Sequence, residues 1–172
     1  MTISLISKHI ATALVITAIL SCSRNTPVAS TPAPPVKAAP APKNALTGKL
    51  NEDILYYVND YRRSRGLAPL QMLDAASVQA YNHSKSMATG STSFGHNGFE
   101  QRVANLMKTE GRITASAENV AYGELSAKEV VKGWLNSPGH KKNIEGNYAL
   151  TGIGTYKNRD GVIYFTQIFL RK

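Results

Sequence analysis

The sequence predicts an α+β domain in which helices pack on an antiparallel sheet, and three observations carry that expectation. Apolar residues recur at helical spacing from about Leu50 to Leu135, then alternate in strand fashion from Leu150 to the C-terminus. Gly152 and Gly154 also lie on one of those strands, where a glycine lets another backbone come close. Helices first and strands last is the order of an α+β domain rather than of alternating βαβ units.

The domain occupies only part of the chain. Of 172 residues, the first 45 contain no aromatic side chain and six of the eight prolines, so they cannot form a core. Residues 46–172 hold all eight Tyr, all four Phe and the Trp, enough for one domain with one hydrophobic core. A formal charge of +9 falls to +5 there, because 16 of the 20 Lys and Arg and all 11 acids lie in this part. Its tight basic clusters, Arg62-Arg63 with Arg65 and Lys141-Lys142, are not interleaved with aromatics as a nucleic-acid platform would be. They read as solvated faces, with a weak attraction to anionic envelope polymers or lipid headgroups as the alternative.

Residues 1–22 read as a signal peptide. Lys8 and His9 give a basic start, and Ile10–Leu20 is an uncharged run too short to span a membrane. The run ends Ile19-Leu20-Ser21-Cys22, which resembles the lipobox of bacterial lipoproteins and places the chain's only cysteine where lipidation would fall. Ordinary cleavage nearby, with Cys22 incidental, is the alternative. Residues 23–45 form a Pro/Ala-rich tether; at roughly 3.1 Å per residue in polyproline conformation it could reach ~70 Å.

Within the domain the first helix is expected from about Leu50 to Arg65, with Ile54, Leu55, Val58 and Tyr61 inward and Gly66 as its stop. Pro69 makes Leu67–Leu70 an extended connector. A second helix, Leu73 to about Thr89, ends at Gly90 and carries His83 between Ala80 and Met87, where a packed or hydrogen-bonded histidine is the plain reading. His96 follows in Phe94-Gly95-His96-Asn97-Gly98, whose glycines permit a sharp loop able to present the ring. A short helix from Phe99 to about Lys108 then turns Val103 and Leu106 or Met107 inward, and Gly111 ends it.

Ala117-Glu118-Asn119-Val120-Ala121 sets a carboxylate in a small, apolar run, where burial would require a partner; a surface acid in a loop is the alternative. Ser126 and Glu129 form a capping box opening the helix of Val130, Val131, Trp134 and Leu135. Ser137-Pro138 then reads as the N-cap and first position of another short helix. His140 would sit in its first turn, where the helix dipole favours a neutral imidazole. Leu150–Tyr156 and Val162–Leu170, joined by Asn158-Arg159-Asp160-Gly161, read as a β-hairpin.

The order His96, Ala117-Glu118-Asn119-Val120-Ala121, Gly133-Trp134-Leu135-Asn136-Ser137-Pro138-Gly139-His140-Lys141-Lys142-Asn143-Ile144 and Tyr164–Phe169 resembles the bacterial branch of the CAP superfamily. This group is also called SCP-like and includes cysteine-rich secretory, antigen 5 and pathogenesis-related proteins. The resemblance covers residues 48–172. It implies an α-β-α sandwich with a central antiparallel sheet and an open cleft lined by two histidines and acidic residues, which in some members binds a divalent metal such as zinc. Carried over by position, the cleft histidines fall on His96 and His140 and the first cleft glutamate on Glu118. The second acid of eukaryotic members does not transfer, since this chain reads Leu135-Asn136-Ser137 there; Asn136 is retained as a ligand contact only. The name-giving cysteines are absent from the domain.

His96, Glu118 and His140 are therefore the candidates for catalysis, ligand binding and metal. Two neutral imidazoles and a carboxylate suit zinc or another weakly held divalent cation, with a fourth position open to water that could be activated for hydrolysis. Three residues on separate segments are not a metal-binding helix motif, however, and no strong nucleophile stands beside them. The expectation is an exported, monomeric envelope protein, anchored by lipid or secreted, whose cleft binds a peptide, glycan or lipid fragment. A metal-assisted hydrolase of envelope polymers or peptides is the alternative, disfavoured by the missing acid, and an interaction protein using its outer surface is a third. No nucleic-acid partner is expected.

Overall fold

The computed structural model describes residues 45–172, with side chains from residue 48 onward; the signal peptide, most of the tether and Cys22 lie outside the described residues. The elements are α1 (Ala45–Ser64), β1 (Gln71–Met72), α2 (Asp74–Ala88), α3 (Phe99–Glu110), β2 (Ala115–Gly123), α4 (Ala127–Leu135), α5 (Pro138–Glu145), β3 (Leu150–Lys157) and β4 (Ile163–Arg171). They build the expected α-β-α sandwich around a four-stranded sheet of order β1-β3-β4-β2. Its long strands are antiparallel: β3 pairs β4, and β4 pairs β2 from Ala115↔Arg171 to Gly123↔Ile163. The two-residue β1 adds a parallel edge, Gln71↔Leu150 and Met72↔Thr151, directly after the extended connector.

Strand alternation divides the core into two layers. On one face Ile153, Phe165 and Phe169 meet Ile54 and Val58 of α1, Val130, Val131 and Trp134 of α4 and Ile144 of α5. On the other, Ile168 and Leu170 meet Ala76 and Ala80 of α2 and Leu106 of α3. Close packing of α2 explains the two strand glycines. A Cβ on Gly152 would run into the backbone of Ala76 and one on Gly154 into that of Ala80 and Tyr81. Ser84 uses this proximity to donate to the Gly154 carbonyl at 2.9 Å.

Local chemistry closes each element. Gly66, at φ 71°, ends α1: its N–H and that of Leu67 return to the carbonyls of Arg63 and Arg62. Asn59 both donates to the Leu70 carbonyl and accepts from its N–H, leading the connector into the sheet. Ser126 and Glu129 form the reciprocal box that opens α4. In the hairpin turn, the Asn158 side-chain oxygen accepts from the N–H groups of Asp160 and Val162, and Gly161 supplies φ 90°.

Two expectations are corrected. Ser137 occupies the N-cap of α5, with Pro138 in its first turn, but its hydroxyl makes no capping hydrogen bond. Arg62 is not part of a solvated face: it is 2% exposed, and its guanidinium donates to the carbonyls of Ala68, Ile144, Gly146 and Tyr148. Four acceptors satisfy that buried charge and tie α1 to the C-terminal end of α5.

Candidate functional site

Glu118 sits on β2 opposite Ile168, facing the α2 layer, and its side chain is 1% exposed. A carboxylate so placed needs compensation, and α3 provides it. Phe99, Arg102 and Leu106 share one stripe of that helix (i, i+3, i+7), so Arg102 points inward beside the core. Its Nε donates to Glu118 Oε2 at 2.9 Å and its Nη2 to Oε1 at 2.8 Å, a bidentate pair. The guanidinium also lies 6.0 Å from the centre of the Phe99 ring.

The remaining approach to Oε1 is taken by His96, whose Nδ1 lies 2.9 Å away. A carboxylate can only accept, so Nδ1 carries the hydrogen; in the neutral ring Nε2 is then the acceptor nitrogen. The ring is about half exposed. Its loop is pinned on both sides: His83 Nε2 donates to the Gly95 carbonyl at 2.8 Å, and Arg102 Nη1 donates to the Asn97 carbonyl at 2.8 Å. Gly98, at φ 75°, turns the chain from this loop into α3, and the Phe99 N–H donates back to the His96 carbonyl.

His140 stands in the first turn of α5, partly buried. Burial lowers its pKa, and the neighbouring His96 pushes it the same way, so the ring is neutral near pH 7. The direction matches expectation, and burial is its largest cause. Asn119 and Asn143 bind α5 to β2: Asn119 Nδ2 donates to the His140 carbonyl, and Asn143 Nδ2 donates to the Glu118 carbonyl and to Asn119 Oδ1. Trp134 Nε1 donates to the Val120 carbonyl of the same strand.

Three of the expected site residues thus gather about β2, but not as one lining. His96 and His140 are accessible, whereas Glu118 lies beneath His96. Asn136 is the exposed C-cap of α4 and takes no part in the Glu118 network. A cavity of about 530 Å³ beside α5, walled by Lys141, Lys142 and Tyr148 among others, includes none of the three. Arg102 and His83 complete this network: the sequence reads His83 as a packed histidine and does not single out Arg102. Both lie on the buried stripe of an amphipathic helix, which is the one signal available for them.

An aromatic wall extends from the His96 loop. Phe94 meets Tyr122 edge to face at 4.8 Å between ring centres, and Tyr122 stacks on Tyr164 at 5.7 Å. Phe94 is 48% and Tyr122 57% exposed, unusual for such side chains.

The residues do not suit a divalent metal held through Glu118. Both carboxylate oxygens already accept from Arg102, and among the described residues no three His, Cys, Asp or Glu side chains are grouped so as to hold an ion. Asn136, in place of the second acid, adds no strong ligand.

Comparison with known proteins agrees with this architecture. Residues 55–169 match the model of the CAP, cysteine-rich secretory protein family, and the chain belongs to that family. It is 32% identical over 137 residues to the uncharacterized protein YkwD of Bacillus subtilis (strain 168), covering 78% of this chain and 51% of that one. Identity to the uncharacterized membrane protein YlbC of the same organism is 29%, covering 70% of this chain and 34% of YlbC. The chain thus spans about half or less of these curated relatives. Among solved structures it is similar to an extracellular SCP-domain protein of Bacillus anthracis, at 26% identity and TM-score 0.63, over 74% of this chain and 42% of that one. An outer surface protein of Borrelia burgdorferi shares the fold at 23% identity and TM-score 0.62, over 70% of this chain and 93% of that one.

Proposed function

We propose that this chain is an exported envelope protein, anchored through a lipid on Cys22, whose His96–His140 face binds a small peptide, glycan or lipid fragment. The observation that carries the binding face is the support given to one exposed ring. His96 is held by Glu118 at Nδ1, while His83 and Arg102 hold the carbonyls on either side of it. Fixing an accessible ring in this way, one nitrogen a committed donor and the other a free acceptor, is the preorganisation that recognition requires. The exposed Phe94 and Tyr122 rings beside it offer an apolar surface for the ligand body.

Export is supported by the signal-peptide reading and by similarity to an extracellular SCP-domain protein of Bacillus anthracis. Among the described residues no helix is long and apolar enough to cross a membrane. The metal-assisted hydrolase is the weaker reading, because both Glu118 oxygens already accept from the buried Arg102 guanidinium.

The test is an NMR titration of the purified protein with muropeptides, short peptides and phospholipid micelles in turn. One class should perturb the resonances of His96 and Tyr122, and His96→Ala should weaken that binding at least tenfold. Three probe classes that leave these resonances unmoved would sink the binding face. Mass spectrometry of the mature N-terminus tests the anchor separately, an unmodified start away from Cys22 being the outcome against it.

A further inference from the structure

We propose that Arg102 is the resident cation of this site, occupying on Glu118 the positions a divalent metal would need, so that the His96–His140 face works without a metal. The inference rests on the binding face described above and extends it. A carboxylate offers about four lone-pair directions on its two oxygens. Here Nε and Nη2 of Arg102 and Nδ1 of His96 are all donors to them, at 2.9, 2.8 and 2.9 Å. A zinc ion would have to lie about 2.0–2.2 Å from a carboxylate oxygen, crowded by these three N–H donors and beside a fixed positive charge.

Arg102 is not free to move aside. Its side chain is 10% exposed, its Nη1 holds the Asn97 carbonyl, and its guanidinium lies over Phe99. Swinging it out would leave Glu118 buried without its counter-charge and release the loop that carries His96. His83 does not take its place: its Nε2 is committed to the Gly95 carbonyl and lies 3.9 Å from Glu118. Without Glu118 a metal would keep only two imidazoles, one fewer protein ligand than an open zinc site commonly has.

Arg102 is thereby a positioning residue with a defined output. It fixes Glu118, and Glu118 fixes His96 with its hydrogen on Nδ1, which leaves Nε2 as the acceptor of the neutral ring. A purely structural ion pair would require none of this.

Zinc titration calorimetry on the wild-type protein, Glu118→Gln and Arg102→Gln, with ¹⁵N NMR of the histidine rings, tests it without reference to any ligand. Wild type and Glu118→Gln should bind zinc equally within about threefold, and wild-type His96 should show the Nδ1–H pattern, unchanged by zinc. Glu118→Gln should lose that tautomer, and Arg102→Gln should gain at least tenfold in zinc affinity. A wild-type zinc site lost in Glu118→Gln, or a wild-type His96 in the Nε2–H form, would overturn the proposal. Should a variant fail to fold, the wild-type tautomer and its indifference to zinc decide alone. A failed ligand screen leaves these readouts untouched, so the two proposals fail separately.

Discussion

Arg102 meets Glu118 from inside the domain, two donors against two acceptors, while the solvent side of the same carboxylate is given to His96. Breaking such a buried pair leaves one charge uncompensated, so Arg102→Met should lower unfolding free energy by about 3–5 kcal/mol. Adding Glu118→Gln to that variant should recover part of the loss, because the stranded charge disappears with it. Urea unfolding of the singles and the double measures the coupling. Single variants within about 1 kcal/mol of wild type would show the pair to be far weaker than its burial implies.

Stability should fall in mildly acidic solution. Burial lowers the pKa of His83, with the nearby Arg102 charge adding to it against the opposing Gly95 hydrogen bond, and burial lowers that of His140. An unfolded histidine titrates near about 6.5, so below that value the unfolded chain binds protons the folded one refuses. The contribution is full above roughly pH 6.5 and drains away as pH falls through the lower folded values. His83→Gln should flatten the unfolding free energy between pH 7.5 and pH 5 relative to wild type. An identical slope in the variant would assign the acid sensitivity to other groups.

Gly154→Ala should destabilise the domain by at least about 1–3 kcal/mol, since an added methyl must displace the α2 backbone rather than a side chain. Gly133→Ala makes the control, because a Cβ there meets nothing within 4 Å and the residue lies inside α4. It should be neutral or gain up to about 1 kcal/mol from helix propensity. Thermal melts of the two variants should move in opposite senses, or at least differ sharply.

The two serines ahead of neighbouring helices should behave differently. Ser126→Ala removes a hydroxyl engaged with Glu129 and should cost about 0.5–2 kcal/mol. Ser137→Ala removes one with no capping bond and should cost less than about 0.5 kcal/mol. Equal losses in chemical denaturation would mean that Ser137 caps α5 in solution.

Much of this arrangement is legible in the residues. The C-terminal hairpin, the Ser126 box, the close approach at Gly152 and Gly154 and the α-β-α layering can all be anticipated, because each rests on local chemistry or on a specific resemblance. β2 does not read as a strand: Ala115–Ala121 is mostly small side chains with little β propensity, and its extended form comes from nine residues of pairing with β4. Arg102 looks like an ordinary helix charge because its partner lies 16 residues away on that unadvertised strand. His83 reads as a packed histidine, and it is one, but the carbonyl it holds belongs to the neighbour of His96.

β2 forms one border of the sheet, and the side turned away from β4 carries backbone carbonyls with no strand to receive them. Asn143 donates to that of Glu118 and Trp134 to that of Val120, two residues further along. Unguarded borders of this kind recruit strands from other molecules. The helices α4 and α5 therefore also act as a guard rail against self-assembly, covering with Trp134 and Asn143 the carbonyls that a strand of another molecule would otherwise pair with.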